Sequence, residues 1–473
     1  MQINPSISVF DQDQKAVLHT YVKELLETVG LRVDCPQARE LLTQHGATTV
    51  ADQHLAIPGD LIEWAIQTAP KTVSIFDLAG NPAFTLGEGA AGTRFGVGVT
   101  NLYYQDPATD EVTPFTMAHL RTAVRLGHRL DGFDLVSTPG VLKDKESSEA
   151  DLWATLTMTA NTTKPLVLLI SEEQQFIPVL DLIESLHGRQ DTRPAVIPYF
   201  NPITPLVLNA ETARKMAATI ERGIPFIYSN YGMSGATTPI TPGGSLVMLT
   251  AELLGGLVYA QLLKAGTPVI LGSLPAAFDM QSMQSMYTPH AMLLNLACAE
   301  MMAYYGLPHS GTSGCVNGWG ADLQLSGTMW MNHLTSCMGK VGLAPFVGGS
   351  FDSLAFSPAI VVLADEIIRL SRQFAAGFTL ERNSAALDDV AAVGPGGNFL
   401  TSKLTFKLFR QMACESSIWP RYSLEQWQEK HQPTAETILR KHTLSLVDDL
   451  APPADHDELM DRGTDFIRTG LAG

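Results

Sequence analysis

From residue 95 onward, short apolar runs rich in Val, Ile and Phe alternate with longer segments in which apolar residues recur at helical spacing. FGVGVTNLYY (95–104), FDLVST (133–138), PLVLLIS (165–171) and PAVIPYFNP (194–202) precede TMAHLRTAVRLGHRL, SSEADLWATLTMTA, EEQQFIPVLDLIESLHG and NAETARKMAATIERG. PFIYSN (225–230), PVILGS (268–273), LPHSGTS (307–313) and LAPFVGG (343–349) open four further units of the same kind. Eight strand–helix units in succession predict an α/β protein, a closed (β/α)8 TIM barrel over 91–380, with an open doubly wound sheet as the alternative. Helical periodicity in DQKAVLHTYVKELLETVG and PGDLIEWAIQTAP predicts an N-terminal helical extension over 1–90. SLEQWQEK and PTAETILRKHTLSLVDDL predict a C-terminal one over 381–473, and no low-complexity linker separates either from the barrel.

In a barrel of this kind the chemistry lies at the C-terminal ends of the strands. Those ends offer Thr100, Asn101, Tyr103 and Tyr104; Ser137 and Thr138; Ser171 and Glu172; Tyr199, Phe200 and Asn201; Tyr228 to Tyr231; Ser273 and Asp279; Thr312, Ser313, Asn317 and Trp319; Phe346, Ser350, Phe351 and Asp352. None is a lysine, and the nearest, Lys143, lies several residues past its strand, which disfavours Schiff-base chemistry. Aromatic rings with a few carboxylates among them suit an organic cation, such as a methylated amine. Each ring taken singly has the plainer reading of ordinary core material.

Composition narrows the classes. The chain has 473 residues, 45% hydrophobic, and a formal charge of -17, which argues against nucleic-acid and anionic-membrane partners. Five widely spaced cysteines (Cys35, Cys298, Cys315, Cys337 and Cys414) without a CxxC pair suggest neither a disulfide framework nor a thiolate zinc site, and fit a reducing cytoplasm. MQINPSISVFDQDQKAV lacks the pattern of an export signal, and no apolar run reaches roughly 18 residues free of polar interruptions, so neither export nor membrane spanning is expected.

Three motifs fail on context. GEGAAG fits GxGxxG at Gly87, Gly89 and Gly92 but leads into a strand rather than opening a helix, so it reads as a turn. Asp52 and His54 begin the Asp-x-His-x-x-Gly pattern of a corrinoid-carrying domain, but Ile57 replaces the glycine. His290, His309, Cys298 and Cys315 lie near strands six and seven; His309 and Cys315 alone fall short of the three ligands of a catalytic zinc, and no metal is expected.

PYFNPITPLVLNAETA, GMSGATTPITPGGSLVMLTAELLGGLVYAQLLKAGTPVILGSLPAAFDM, YYGLPHSGTSGCVNGWGADLQ and VGPGGNFL resemble the trimethylamine methyltransferase (MttB) superfamily. TRFGVGVTNLYYQDPATDEVTPFT is also similar to that family. Gly235, Ala236, Thr237, Pro239, Thr241, Ala251, Glu252, Gln261, Pro268 and Gly272 fall on its positions, and the likeness runs from about residue 90 past Trp419 and Pro420.

The resemblance implies a barrel enzyme that moves a methyl group from an amine to the cob(I)alamin of a separate corrinoid protein. No acid, base or metal of the enzyme's own is then required, which accounts for a strand-end segment, GMSGATTPITPGG (232–244), that contains none. Trimethylamine-specific members carry pyrrolysine near the segment that here reads PFVGGSFDSLAFSP, and its absence points to a quaternary amine. Glycine betaine is the expected substrate; proline betaine, carnitine and butyrobetaine are alternatives, and a non-catalytic betaine sensor is the competing class.

Tyr103, Phe200, Tyr231, Trp319, Phe346 and Phe351 are the candidates for the cage. Arg94, Asn201 and His290 are those for the substrate carboxylate. Gly235, Thr237 and Thr241 would line the mouth where the corrinoid enters, and Asp322 and Gln324 match the family's Asp-x-Gln, with helix capping as the plainer role for Asp322. The expected partners are a corrinoid protein, the amine and further copies of the chain.

Overall fold

Leu135, Val167, Ile197, Ile227, Ile270 and Leu343 stand on six parallel strands and meet in one buried cluster, because alternate residues of a strand face the same side. Their neighbours Val136, Leu166, Val196, Phe226, Leu271 and Ala344 face the opposite way and join the helix-packed core. The computed structural model describes residues 1–471 apart from Ser313, Cys315 and Cys414. Its barrel strands are β1 (Arg94–Val97), β2 (Leu135–Ser137), β3 (Leu166–Leu168), β4 (Val196–Phe200), β5 (Phe226–Ser234), β6 (Val269–Asp279), β7 (His309–Ser310) and β8 (Leu343–Val347). Each pairs in parallel with the next, and β8 returns to β1 through Leu343↔Arg94 and Ala344↔Phe95.

The crossover helices are α1 (Met117–Arg129), α2 (Ala150–Asn161), α3 (Glu173–His187), α4 (Ala210–Glu221), α5 (Pro242–Leu263), α6 (Pro289–Tyr304), α7 (Leu323–Met338) and α8 (Pro358–Ala376). The (β/α)8 order read from the hydrophobic pattern is borne out.

Two features set the two ends of the barrel apart. Before β1, a hairpin of Thr72–Phe76 and Pro82–Gly87 pairs Val73 with Leu86 and Ile75 with Phe84. These four apolar side chains enter the interior cluster and stopper the barrel at its N-terminal end. At the other end β5 and β6 run on together from Phe226↔Val269 to Ser234↔Ala277, and β6 then folds back on Gln284–Met286. The strand therefore takes in Gly232, Met233 and Ser234, and only the stretch from Gly235 to Thr241 is loop before α5.

Helix α5 is long and apolar enough to cross a membrane by length and composition, but here it is a core helix with nearly every residue from Ser245 to Gln261 buried. Gly255 and Gly256 interrupt it because a Cβ on Gly256 would stand 2.1 Å from the Tyr228 ring, and one on Gly255 2.2 Å from Leu31. The first 90 residues hold short strands as well as helices, and Leu31–Val33 pairs with Val207–Leu208 in the loop after β4. At the other terminus, His456–Leu471 packs on α2, with Gly463 closing on Leu156.

Candidate active site at the barrel mouth

Tyr199 at the end of β4 points into the barrel and meets Phe346 of β8 edge-on, ring centroids 5.1 Å apart at 79°. Val99, Leu169 and Leu274 pack on this floor. Val99 also touches a second cluster above it, where Tyr287 and Ala276 pack with Tyr231 and Met233. The mouth is thus lined by tyrosines, Met and aliphatic side chains in continuous contact.

One carboxylate stands at this cluster. Asp352, in the loop after β8, accepts hydrogen bonds from the Ser285 hydroxyl and from Tyr287. Burial raises its pKa, and those two hydrogen bonds pull it partly back down. Tyr287 is fixed in turn by Asn317, which accepts from the Tyr287 amide at 3.2 Å and donates to its carbonyl at 3.2 Å. Phe351, Asp352 and Ser353 all adopt left-handed backbone, with φ of 51°, 54° and 62°. Each such non-glycine residue costs about 1–2 kcal/mol. The turn is held by Phe351 N donating to Gly318 O and by the buried Asn101 donating to Ser353 O at 2.7 Å. Strain of this kind, tied down from two other loops, marks positions where a side chain must be aimed.

Beside the cluster lies a cavity of about 320 Å³ at the ends of β1 to β3, lined by Thr100, Thr138, Leu169, Ser171, Glu172 and Lys143. It adjoins the floor through Leu169.

The structure brings together only part of the candidate set. Tyr231 and Phe346 belong to the mouth, and Asn201 sits on its rim, donating to Ser229 O at 2.8 Å and to the Tyr199 hydroxyl at 3.3 Å. Phe200 does not belong: one position after the inward-facing Tyr199, it turns outward onto Phe176 and Phe226. Arg94 stands at the N-terminal end of β1, at the stoppered face, paired with Asp134 at 3.1 Å, so it cannot grip a ligand at the mouth. Tyr103 is 41% exposed on a small side sheet with Ala355 and Phe356, and Trp319 is 70% exposed. Phe351 is half-buried in the strained turn, and His290 is exposed in the first turn of α6.

Asp322 caps α7, accepting from Leu325 N at 2.8 Å, and also holds Trp319 N at 3.0 Å, while Gln324 is exposed. The Thr237 hydroxyl accepts from Met233 N at 2.9 Å, Gly235 turns the chain at φ 95°, and Thr241 precedes α5 as its cap residue. His309 is buried on the helix side of β7, where burial pushes its pKa down to about 3, and burial pushes the Cys298 thiol up to about 12. Ser313 and Cys315 lie outside the described residues.

Glu252 and Gln261 have structural partners. Glu252 is buried behind β5, where it accepts from Thr204 Oγ1 and Asn230 Nδ2, each at 2.9 Å, and from Leu206 N. Gln261 pins the turn after α5 through Thr267 O and Gly266 N. Tyr287, Val99 and Met233 were not singled out from the sequence. Tyr287 lies in the fold-back after β6, beyond the predicted end of that strand; what could have revealed it is the Thr288-Pro289 helix start that follows at once.

A sequence model of the trimethylamine methyltransferase (MTTB) family matches residues 1–470. The trimethylamine methyltransferase MttB of Desulfitobacterium hafniense (strain DSM 10664 / DCB-2) is 27% identical over 424 residues, 88% of this chain and 85% of that protein. The glycine betaine methyltransferase of Desulfitobacterium hafniense (strain Y51) is 24% identical over 470 residues, 97% of this chain and 96% of that protein. The solved structure of the Methanosarcina barkeri monomethylamine methyltransferase (MtmB) matches at a TM-score of 0.56, covering 98% of this chain and 88% of that one at 9% identity, a likeness of fold alone. With the family's pattern running the length of a closed eight-stranded barrel, the chain belongs to the trimethylamine methyltransferase family and is a methyltransferase.

Proposed function

We propose that this methyltransferase takes a methyl group from a quaternary amine, glycine betaine foremost, and delivers it to a corrinoid carried by a separate protein. The observation that carries the reading is the pairing of Asp352 with Tyr287 beside Tyr231 at the mouth. Aromatic faces attract a desolvated ammonium by roughly 0.5–2 kcal/mol each, and a partly buried carboxylate adds Coulomb attraction. The similarity to a glycine betaine methyltransferase along 97% of the chain, and the absence of pyrrolysine, support a quaternary donor.

In the transfer, the N–CH3 bond breaks with its electron pair left on nitrogen, so glycine betaine leaves as dimethylglycine and no proton moves. The residues therefore have binding and alignment to do, not acid–base work. Tyr231, Tyr287 and Asp352 hold the cationic head, while Tyr199 and Phe346 close the floor and keep water from beneath it. Lys143 and Thr138 in the adjoining cavity, with Asn201 beside Tyr199, are the candidates to receive the carboxylate. A bound Co(I) corrinoid supplies the nucleophile that accepts the methyl group. The rim fits a broad flat group: the segment from Gly235 to Gly244 carries no charge, Ile240 is exposed, and a Cβ on Gly243 would meet open space.

The test mixes the protein with free cob(I)alamin and glycine betaine and follows absorbance for the methylated corrinoid, with trimethylamine, carnitine and proline betaine alongside. Methylation dependent on betaine supports the reading. Tight betaine binding by calorimetry with no methylation from any donor would replace it with a sensor.

A further inference from the structure

A cavity of about 780 Å³ lies at the stoppered end of the barrel, opposite the mouth. Leu86 of the hairpin, the turn from Gly87 to Gly92, the C-terminal ends of α6 and α7 and the segment from Ser6 to Ser8 form its walls. That segment belongs to a strap fixed across the barrel end: Ile7 N donates to Met338 O at 2.9 Å, and Val9 N and Phe10 N donate to the two carboxylate oxygens of Glu300 at 2.6 and 3.1 Å. The volume is within the roughly 300–1,000 Å³ of pockets that take a whole small molecule.

The negative groups around this cavity have partners inside the protein. Glu300 is buried and held by the strap amides, and Glu88 lies close enough to Lys71 to favour its ammonium. The negative helix ends are answered too: Tyr305 O, after α6, accepts from Lys71 Nζ at 3.1 Å, and Met338 O, closing α7, accepts from Ile7 N. The positive groups are less well matched. Lys15, its side chain 15% exposed, stands 3.7 Å from Glu300, beyond hydrogen-bond distance, and Lys340 is exposed with no ion pair among the described residues.

The glycine turn adds donors. Gly87, Gly89 and Gly92 take left-handed backbone, with φ of 106°, 74° and 68°. The amides of Gly89, Ala91 and Gly92 have no partner among the described residues, and a Cβ on Gly89 or Gly92 would meet nothing within 4 Å. Free amides close together beside ammonium groups make a concavity suited to an anion. His309 is a second, independent sign of a missing ligand: it lines the cavity, is 3% exposed, and has no hydrogen-bond partner at either ring nitrogen. Tyr304, 41% exposed, adds an aromatic face to the same wall. We propose that the cavity binds an organic phosphate, with the phosphate among Lys15, Lys340 and the turn amides and the organic part along Tyr304. Inorganic phosphate shares the anionic chemistry but leaves Tyr304 and most of the volume unused.

Calorimetry on the full chain, with no methyl donor present, tests this with AMP, ribose 5-phosphate, inorganic phosphate and adenosine as probes. AMP is expected to bind more tightly than inorganic phosphate, and adenosine not to bind. Lys340→Met, at an exposed position that leaves the fold intact, should weaken AMP binding about tenfold. Lys15→Met should do the same and Lys15→Arg should keep most of the affinity, which separates lost charge from a disturbed strap. No binding of AMP or ribose 5-phosphate at millimolar concentration overturns the proposal. So does binding of inorganic phosphate alone, adenosine binding as tightly as AMP, or AMP affinity unchanged in both methionine variants.

Discussion

The Tyr287 hydroxyl hydrogen-bonds the Asp352 carboxylate, so an aromatic face and a negative charge are locked to one another at the mouth of the barrel. Replacing Asp352 with Asn should weaken glycine betaine binding about tenfold, as removal of a partly screened ion pair does. Burial raises the Asp352 pKa, so wild-type affinity should decline on acidification at a higher pH than an ordinary carboxylate would give. The Asn variant should lose that dependence. Calorimetry across the acid range checks both.

Tyr231 is half-buried and lies on the extension of β5, clear of the main core. Tyr231→Ala should raise the betaine KM roughly 3- to 30-fold through loss of one cation–π face, with little change in melting temperature. Trp319, 70% exposed, should behave oppositely to a cage residue: Trp319→Ala should alter neither betaine affinity nor stability by more than about 0.5 kcal/mol.

Lys143 lines the cavity next to the mouth. If it receives the carboxylate, Lys143→Met raises the KM for glycine betaine several-fold and leaves binding of tetramethylammonium unchanged. Equal loss for both ligands would place its role elsewhere.

Glu252 makes stability depend on pH in a stated direction. Burial lifts its pKa to about 7 in the folded protein, against 4.5 for an ordinary glutamate. Below 4.5 both states are protonated and the shift has no effect; between 4.5 and 7 the folded state holds the extra proton, so stability falls as pH rises, by at most about 3 kcal/mol. Urea unfolding at pH 5 and 7.5 should show that loss, and Glu252→Gln should lack most of it.

Gly256→Ala sets two effects against each other. Helix propensity favours Ala by about 1 kcal/mol, while the added methyl falls 2.1 Å from a fully buried Tyr228 ring, an overpacking cost of roughly 1–3 kcal/mol or more. Net destabilisation is expected, read as a lower melting temperature.

The barrel was legible because eight apolar runs and eight amphipathic segments repeat a pattern that only one closed topology satisfies. The site was legible only as a set of residue types. Tyr199 and Phe200 are neighbours in sequence with equal claims on the mouth, and the phase of the pleat alone sends one inward and the other onto Phe176. Arg94 stood just before a predicted strand and in fact opens it, and opening a barrel strand means standing at the far end from the chemistry. Asp352 was visible at a strand end, but its tie to Tyr287 joins residues far apart in sequence through a fold-back and a left-handed turn that no local periodicity encodes. Glu252, by contrast, lay on a family position and proves to brace the turn at Leu206.

The hairpin that fills the barrel from below has a kinetic consequence. With Val73, Ile75, Phe84 and Leu86 occupying the rear opening, the mouth is the way in that the barrel's described residues leave open. Under the proposed transfer, a large acceptor seated there would seal it, so the amine would have to arrive before the acceptor docks and its demethylated remnant would wait until the acceptor departs. Steady-state turnover should then follow a compulsory order, and an excess of the acceptor should slow the reaction by blocking the way in.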